Sequence, residues 1–334
     1  MVDELKRRGP SIVAIGGGHG LSTILRGLKL YTEDLTAIVT VADDGGGSGV
    51  LREDLHMPPP GDIRNCMEAL ANAEPMMQRL LSYRFGAGRL AGQAFGNLLL
   101  AALNGISDSF DQAVARMSDV LAITGRILPV TNADVALEAT FVNGSCVRGE
   151  SRIFAFKKAQ NCHIREVRLI PELPPALPAA LEAICQADVI LLGPGSLYTS
   201  VIPNLLVDGI SDAIRNSRAL KVYVCNVMTQ DGETEHMTAS DHVAALLNHG
   251  GSGLVDICLC NSEPVGRRLM ERYSREDAEP MVVDEDAIRS LNVDVVKYPL
   301  LDTKNTSYAR HDGVKVAEAV VELYRNRAKT RIFD

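Results

Sequence analysis

Tryptophan is absent from this 334-residue chain, and aromatic residues make up only 4% of it. Proteins that hold single-stranded nucleic acid stack bases on aromatic rings and track the backbone with cations. The net charge here is −8, and no Lys/Arg cluster is longer than Lys6-Arg7-Arg8, so a nucleic-acid groove is excluded. No apolar run approaches the ~18 uninterrupted residues of a membrane helix. The first residues, Met1 to Arg8, carry charges with no apolar region after them, so no secretory signal is expected. The seven cysteines (Cys66, Cys146, Cys162, Cys185, Cys225, Cys258 and Cys260) are odd in number and scattered. They do not make a disulfide framework and fit the reduced thiols of a cytoplasmic protein.

Hydrophobic residues, at 46%, suffice for a large core. A single α/β domain over 1–334 is expected, with its core in 10–125 and 176–325 and a β-rich insertion at about 127–170. The organising stretch is Ser11 to Arg26, where a short apolar run ends in Gly16, Gly17, Gly18 and Gly20. A helix is predicted to begin near Leu21. Glycines let a backbone approach a bound group, and the first N–H groups of a helix point at an anion, so this turn reads as a phosphate-binding loop.

A second buried strand, Leu35 to Ala42, ends in Asp43-Asp44-Gly45-Gly46-Gly47-Ser48-Gly49. Two parallel strands joined by a helix form a βαβ unit, and ligands of such sheets bind beyond the strands' carboxyl ends. A dinucleotide is the obvious candidate, since Asp43 follows the glycines at a spacing suited to a ribose hydroxyl. The fingerprint fails at its third glycine, because position 21 is Leu, and no P-loop Lys-Ser/Thr follows. NAD is therefore the weaker alternative.

Arg52 to Pro60 reads as a mobile segment, followed by a helix from Gly61 to about Tyr83. Asp62 suits an N-cap. Arg64 and Asn65 in the first turn suggest a partner such as a phosphate, because a cation there opposes the helix dipole. Asn97, ahead of the apolar Leu98 to Leu103, is either a cap or an amide aimed at a ring or sugar. The insertion alternates over Leu137 to Val142, turns at Asn143-Gly144 and returns through Cys146 to Phe156, so it reads as antiparallel strands for packing and for a homodimer surface. The sheet then resumes, with a third glycine turn, Gly193-Pro194-Gly195-Ser196, followed by Tyr198 and Thr199. Two further strands end at Asn226, with Thr229 beyond it, and at Cys260. Cys258 and Cys260 face one side of their strand and, with no second Cys/His pair nearby, read as core cysteines. His236, His242 and His249 read as surface or capping residues.

The four loops converge on one crevice in a Rossmann-like, doubly wound, mostly parallel sheet with a small antiparallel β insertion. Glycine turns suit a diphosphate, and Asn and Asp side chains suit a base or sugar, so a nucleotide-sugar is the expected ligand. The Asp43/Asp44 pair is a candidate for Mg²⁺, with Asp44 the better placed of the two.

Six blocks carry a resemblance: Ile15 to Leu21, Thr40 to Gly49, Pro59 to Cys66, Phe95 to Ala101, Gly193 to Asn204 and Asn226 to Gln230. Together, over nearly the whole chain, they resemble the YvcK family, the gluconeogenesis factors, which is related to the CofD 2-phospho-L-lactate transferases. The resemblance implies a cytoplasmic protein binding UDP-sugars, UDP-N-acetylglucosamine especially. It also implies a part in cell shape and envelope synthesis during gluconeogenic growth, without an established reaction. His19 stands where the family commonly has Thr, and Gln93 where it has His. A Mg²⁺-dependent CofD-like phospho- or nucleotidyltransferase is the alternative reading. No nucleophile with its base is evident, which favours binding over catalysis. The downstream protein partner is not legible.

Overall fold

The computed structural model describes residues 9–304 and 307–333. Seven parallel strands form the main sheet: β1 (Ile12–Gly16), β2 (Leu35–Val39), β3 (Arg126–Pro129), β7 (Val189–Leu192), β8 (Leu220–Val224), β9 (Ile257–Asn261) and β10 (Asp294–Tyr298). Their order is β10-β9-β8-β7-β1-β2-β3. The chain builds outwards from β1 on one side, then returns to the other side of β1 and builds outwards again. That is the doubly wound pattern, and its switch point lies between β1 and β7. The register there sets Ile15 beside Leu192, so the turns after both strands leave the sheet side by side. All residues of β1, β2, β7 and β8 are buried, which is why they read as continuous apolar runs.

A second, antiparallel sheet, ordered β5-β4-β6, comprises β4 (Ala136–Phe141), β5 (Cys146–Arg148) and β6 (Ile164–Ile170). β4 alternates buried and half-buried residues, as a sheet with one covered face requires. The expected strand through Phe156 is not formed. Gly149, at φ +100°, ends β5, and Glu150–Gln160 is a helix with its acidic residue in the first turn and Lys157 and Lys158 in the last. That charge order follows the helix dipole. Short strands at Ser-rich turns cannot be told from helix starts by composition alone.

Three other boundaries move. The first helix spans Gly18–Leu28, three residues earlier than expected, so the glycines are its first turn. The segment expected to be mobile is partly the helix Gly46–Leu55. The helix expected to reach Tyr83 is two, Gly61–Leu70 and Pro75–Leu81, with a proline opening the second.

The closing helix, Gly313–Phe333, crosses the first helix with almost no gap. A Cβ on Gly27 would lie 1.8 Å from the Gly313 carbonyl oxygen. Gly27→Ala should therefore cost about 1–3 kcal/mol, the usual range for overpacking. Gly105→Ala, where a Cβ meets nothing within 4 Å, should be neutral or stabilising. Urea unfolding of both variants measures the contrast, and equal midpoints would contradict this helix crossing.

Candidate functional site

The turns after β1 and β7 meet over the switch point. A Cβ on Gly20 would lie 2.4 Å from the Pro194 carbonyl oxygen, so only glycine lets the two loops touch. Gly18, at φ +64°, turns the chain into the helix whose first N–H groups face the cleft. Asn226, just beyond β8, clamps the second loop from both sides: it accepts from the Gly195 N–H (3.3 Å) and donates to the Gly195 carbonyl (2.9 Å). Ser196 donates to Gln230 at 2.8 Å. Glu233 accepts the N–H groups of Tyr198 and Thr199 at 2.6 and 3.0 Å, which fixes the turn that follows.

A cavity of about 480 Å³ opens between these loops. Of the residues expected from the sequence, Gly17, Gly18, His19, Gly20, Asp43, Asp62, Pro194, Gly195, Ser196, Thr199, Asn226 and Thr229 line it. An adjoining compartment of about 440 Å³ shares Asp43, Ser196 and Thr199 and adds the apolar Ile153 and Phe154.

Other expected residues are engaged elsewhere. Gly16 and Gly193 are the strand ends beneath the loops, and Gly16 accepts from the buried Asn204 amide at 3.3 Å. Asp44 accepts from the Ser151 N–H and hydroxyl at 2.9 and 2.8 Å, facing the insertion and not the cavity. Ser48 is buried in its helix beside Gly61. The Arg64 guanidinium donates to Asn97 (2.9 Å), to Asn65 (2.8 Å) and to Glu68, so these side chains satisfy one another. Asn97 sits inside the helix Phe95–Gly105 and is not a cap. Tyr198 is buried edge-on against His249, a packing contact. Asp62 does not cap its helix, whose N-cap is Pro60; its carboxylate accepts instead from the Gly18 N–H of the glycine turn.

The insertion carries more chemistry than packing. Its helix begins with Glu150 in the cavity wall, where the carboxyl shares a hydrogen bond with Asp43 and accepts from Thr199. Burial first, then Asp43 and Asp62, push Glu150 up to about 9. Burial and Asp43 likewise raise Asp62 to about 7. Lys157, on the same helix and wholly buried, pairs with Glu235 at 2.7 Å and ties the insertion to the segment that carries Gln230 and Glu233. His19, Arg310 and the buried His311 line the same cavity. Burial, then Arg310, lowers His19. Glu150, Glu233, Gln230, Arg310 and His311 carry no glycine-loop signature, and only the fold brings them here. Among the three other histidines read as surface or capping residues, His242 is buried, 2.8 Å from the Tyr223 hydroxyl.

The gluconeogenesis factor of Bacillus subtilis (strain 168) is 46% identical over 317 residues, spanning 95% of this chain and 98% of that protein. The gluconeogenesis factor of Listeria monocytogenes serovar 1/2a is 41% identical over 327 residues, spanning 98% and 99%. The chain belongs to the gluconeogenesis factor family. A crystal structure of a UPF0052 family member from Bacillus halodurans, 46% identical, superposes on this gluconeogenesis factor relative with a TM-score of 0.89, covering 92% of this chain and 98% of that one. The family model described as 2-phospho-L-lactate transferase CofD matches residues 12–301, which takes in the glycine loops, the insertion and β8 to β10 of this family member. Among its described residues, no helix is long and apolar enough to cross a membrane.

The raised carboxyls fix a pH dependence. Unfolded Asp and Glu titrate near pH 4, whereas folded Asp62 and Glu150 titrate near 7 and 9. Across that window the folded state binds more protons, so stability is lost as pH rises. Glu150→Gln should therefore raise the melting temperature of the ligand-free protein, slightly at pH 5 and more at pH 9. Calorimetry at both values tests this, and a variant less stable at pH 9 would remove Glu150 from the carboxyl array.

Proposed function

We propose that this protein is a nucleotide-sugar-binding regulator, with a UDP-N-acetylglucosamine-type ligand. The observation that carries the reading is the pairing of two glycine turns at the switch point, with a helix N-terminus and Arg310 facing one cavity. N–H groups and a guanidinium suit a diphosphate. The adjoining compartment, half apolar at Ile153 and Phe154 and polar at Glu233 and Gln230, suits the sugar or base. Through its family, we infer a cytoplasmic role in envelope synthesis and cell shape during growth on gluconeogenic carbon.

The carboxyls of Asp43, Asp62 and Glu150 favour a second reading, a Mg²⁺-dependent phospho- or nucleotidyltransferase. Three acidic groups gathered in one cavity lining fit a hard cation, which takes one or two carboxylates together with phosphate oxygens. Asp43 and Glu150, with Asp62, would hold it in place of Asp44, and the ion would neutralise charge developing on a transferred phosphoryl group. In that reading Arg310 and the glycine-turn N–H groups orient the phosphates.

Thermal shift with UDP-N-acetylglucosamine, UDP, GDP and NAD separates these readings from a dinucleotide site. A specific ligand at 100 times its Kd adds about 2.7 kcal/mol, a shift of a few degrees in a domain of this size. A response to uridine nucleotides is expected; its absence, or a response to NAD alone, would overturn the proposal. Gly18→Ala puts a methyl group into the cleft, with Asp62 and Ser200 the nearest atoms at 3.9 Å. It should keep the fold at a cost of about 1–2 kcal/mol for its left-handed backbone and weaken nucleotide binding at least tenfold. Turnover of the bound nucleotide-sugar with Mg²⁺ would establish the second reading.

A further inference from the structure

Cys225, distant in the sequence, meets Cys258 and Cys260 where the end of β8 runs beside β9. Cys258 and Cys260 stand two apart on β9, facing the same side of the sheet. Cys225 directly follows β8, and its N–H donates to the Leu259 carbonyl at 3.0 Å, which carries the β8–β9 pairing one residue further and brings Cys225 alongside. The three Sγ atoms all lie within 4.8 Å of one another, and those of Cys258 and Cys260 are 3.6 Å apart. All three are buried free thiols that hydrogen-bond to one another.

A zinc–thiolate bond of about 2.3 Å in tetrahedral geometry sets neighbouring sulfurs about 3.8 Å apart. The Cys258–Cys260 spacing already matches one edge of that tetrahedron, and Cys225 Sγ lies within 4.8 Å of both. Buried thiols otherwise serve a core as small hydrophobes and need not converge. A cavity of about 250 Å³, lined by Cys225 and Cys260 together with Asn226, Glu263 and Met281, reaches the cluster and gives an ion a way in. The buried His311 ring hydrogen-bonds the Cys225 backbone, while its Nε2 has no partner among the described residues. A ring held through one nitrogen with the other bare is the arrangement that imidazole ligands adopt.

We propose that Cys225, Cys258 and Cys260 form a binding site for one thiophilic metal ion of the zinc class. The sulfurs bind as thiolates and release their protons to solvent as the ion enters, with no change of oxidation state. The fourth position opens towards the cavity. Soft sulfur donors exclude magnesium, so this ion is distinct from any held by the carboxyls of the cleft.

Titration of the reduced full-length protein with Co²⁺ and Cd²⁺, without nucleotide, tests the site. A thiolate-to-metal charge-transfer band saturating at one equivalent is expected, with proton release. The double variant Cys146→Ser/Cys185→Ser, which removes the two exposed thiols, should keep the band; Cys225→Ala and Cys260→Ala should each lose the one-equivalent band. No band, or one that survives Cys225→Ala/Cys258→Ala/Cys260→Ala, would overturn the proposal. Should those variants fail to fold, X-ray absorption of the zinc-loaded wild type decides. Three sulfur neighbours at about 2.3 Å support the site, and a shell of nitrogen and oxygen alone overturns it.

Discussion

The contact between Gly20 and the Pro194 carbonyl is the constraint on which the rest of the cleft depends. No side chain other than hydrogen fits between these two turns, and their closeness follows from β1 and β7 being neighbours at the switch point. Once they touch, the helix start at Gly18, the Asn226 clamp on Gly195 and the Glu233 bonds to Tyr198 and Thr199 take fixed positions around one space. Polar groups from the two halves of the sheet thus share a cavity that neither half encloses alone.

The cleft brings both signs of charge together. Asp43, Asp62 and Glu150 share its lining with the glycine turn, His19 and Arg310, and Asp62 itself accepts from the Gly18 N–H. Buried carboxyls beside one another are costly when ionised, which is visible in the upward displacement of Asp62 and Glu150. Such an arrangement is at odds with maximal stability. The buried Lys157–Glu235 pair anchors the helix that carries Glu150.

Much of this was legible in the chain. Apolar runs ending in glycine clusters located β1, β2 and β7, and their meeting in one crevice followed from the parallel topology. Gly17, Gly18, Gly20, Gly195, Asp43, Asn226 and Thr229 line the cavity. What escaped was of two kinds. Asp44, Arg64 and Asn97 have the right chemistry but spend it on Ser151, Glu68 and each other, a choice that local sequence does not encode. Glu150, Glu233 and His311 are unremarkable in their own segments, and only long-range packing gives them a role. The cysteines follow the same logic, since β8–β9 pairing adds Cys225 to a pair that looked like core filling.

The strand order also has a consequence for synthesis. β1 is made first yet sits inside the sheet, and its partner β7 begins at Val189. At about 5–20 residues per second, translation from Gly16 to that point takes on the order of 10–35 seconds. Throughout that interval the nascent chain carries a fully apolar strand with one edge unpaired, the template on which chains join wrongly. The same interior position that builds the cleft therefore leaves the half-finished protein with an apolar edge that stays open until β7 is made.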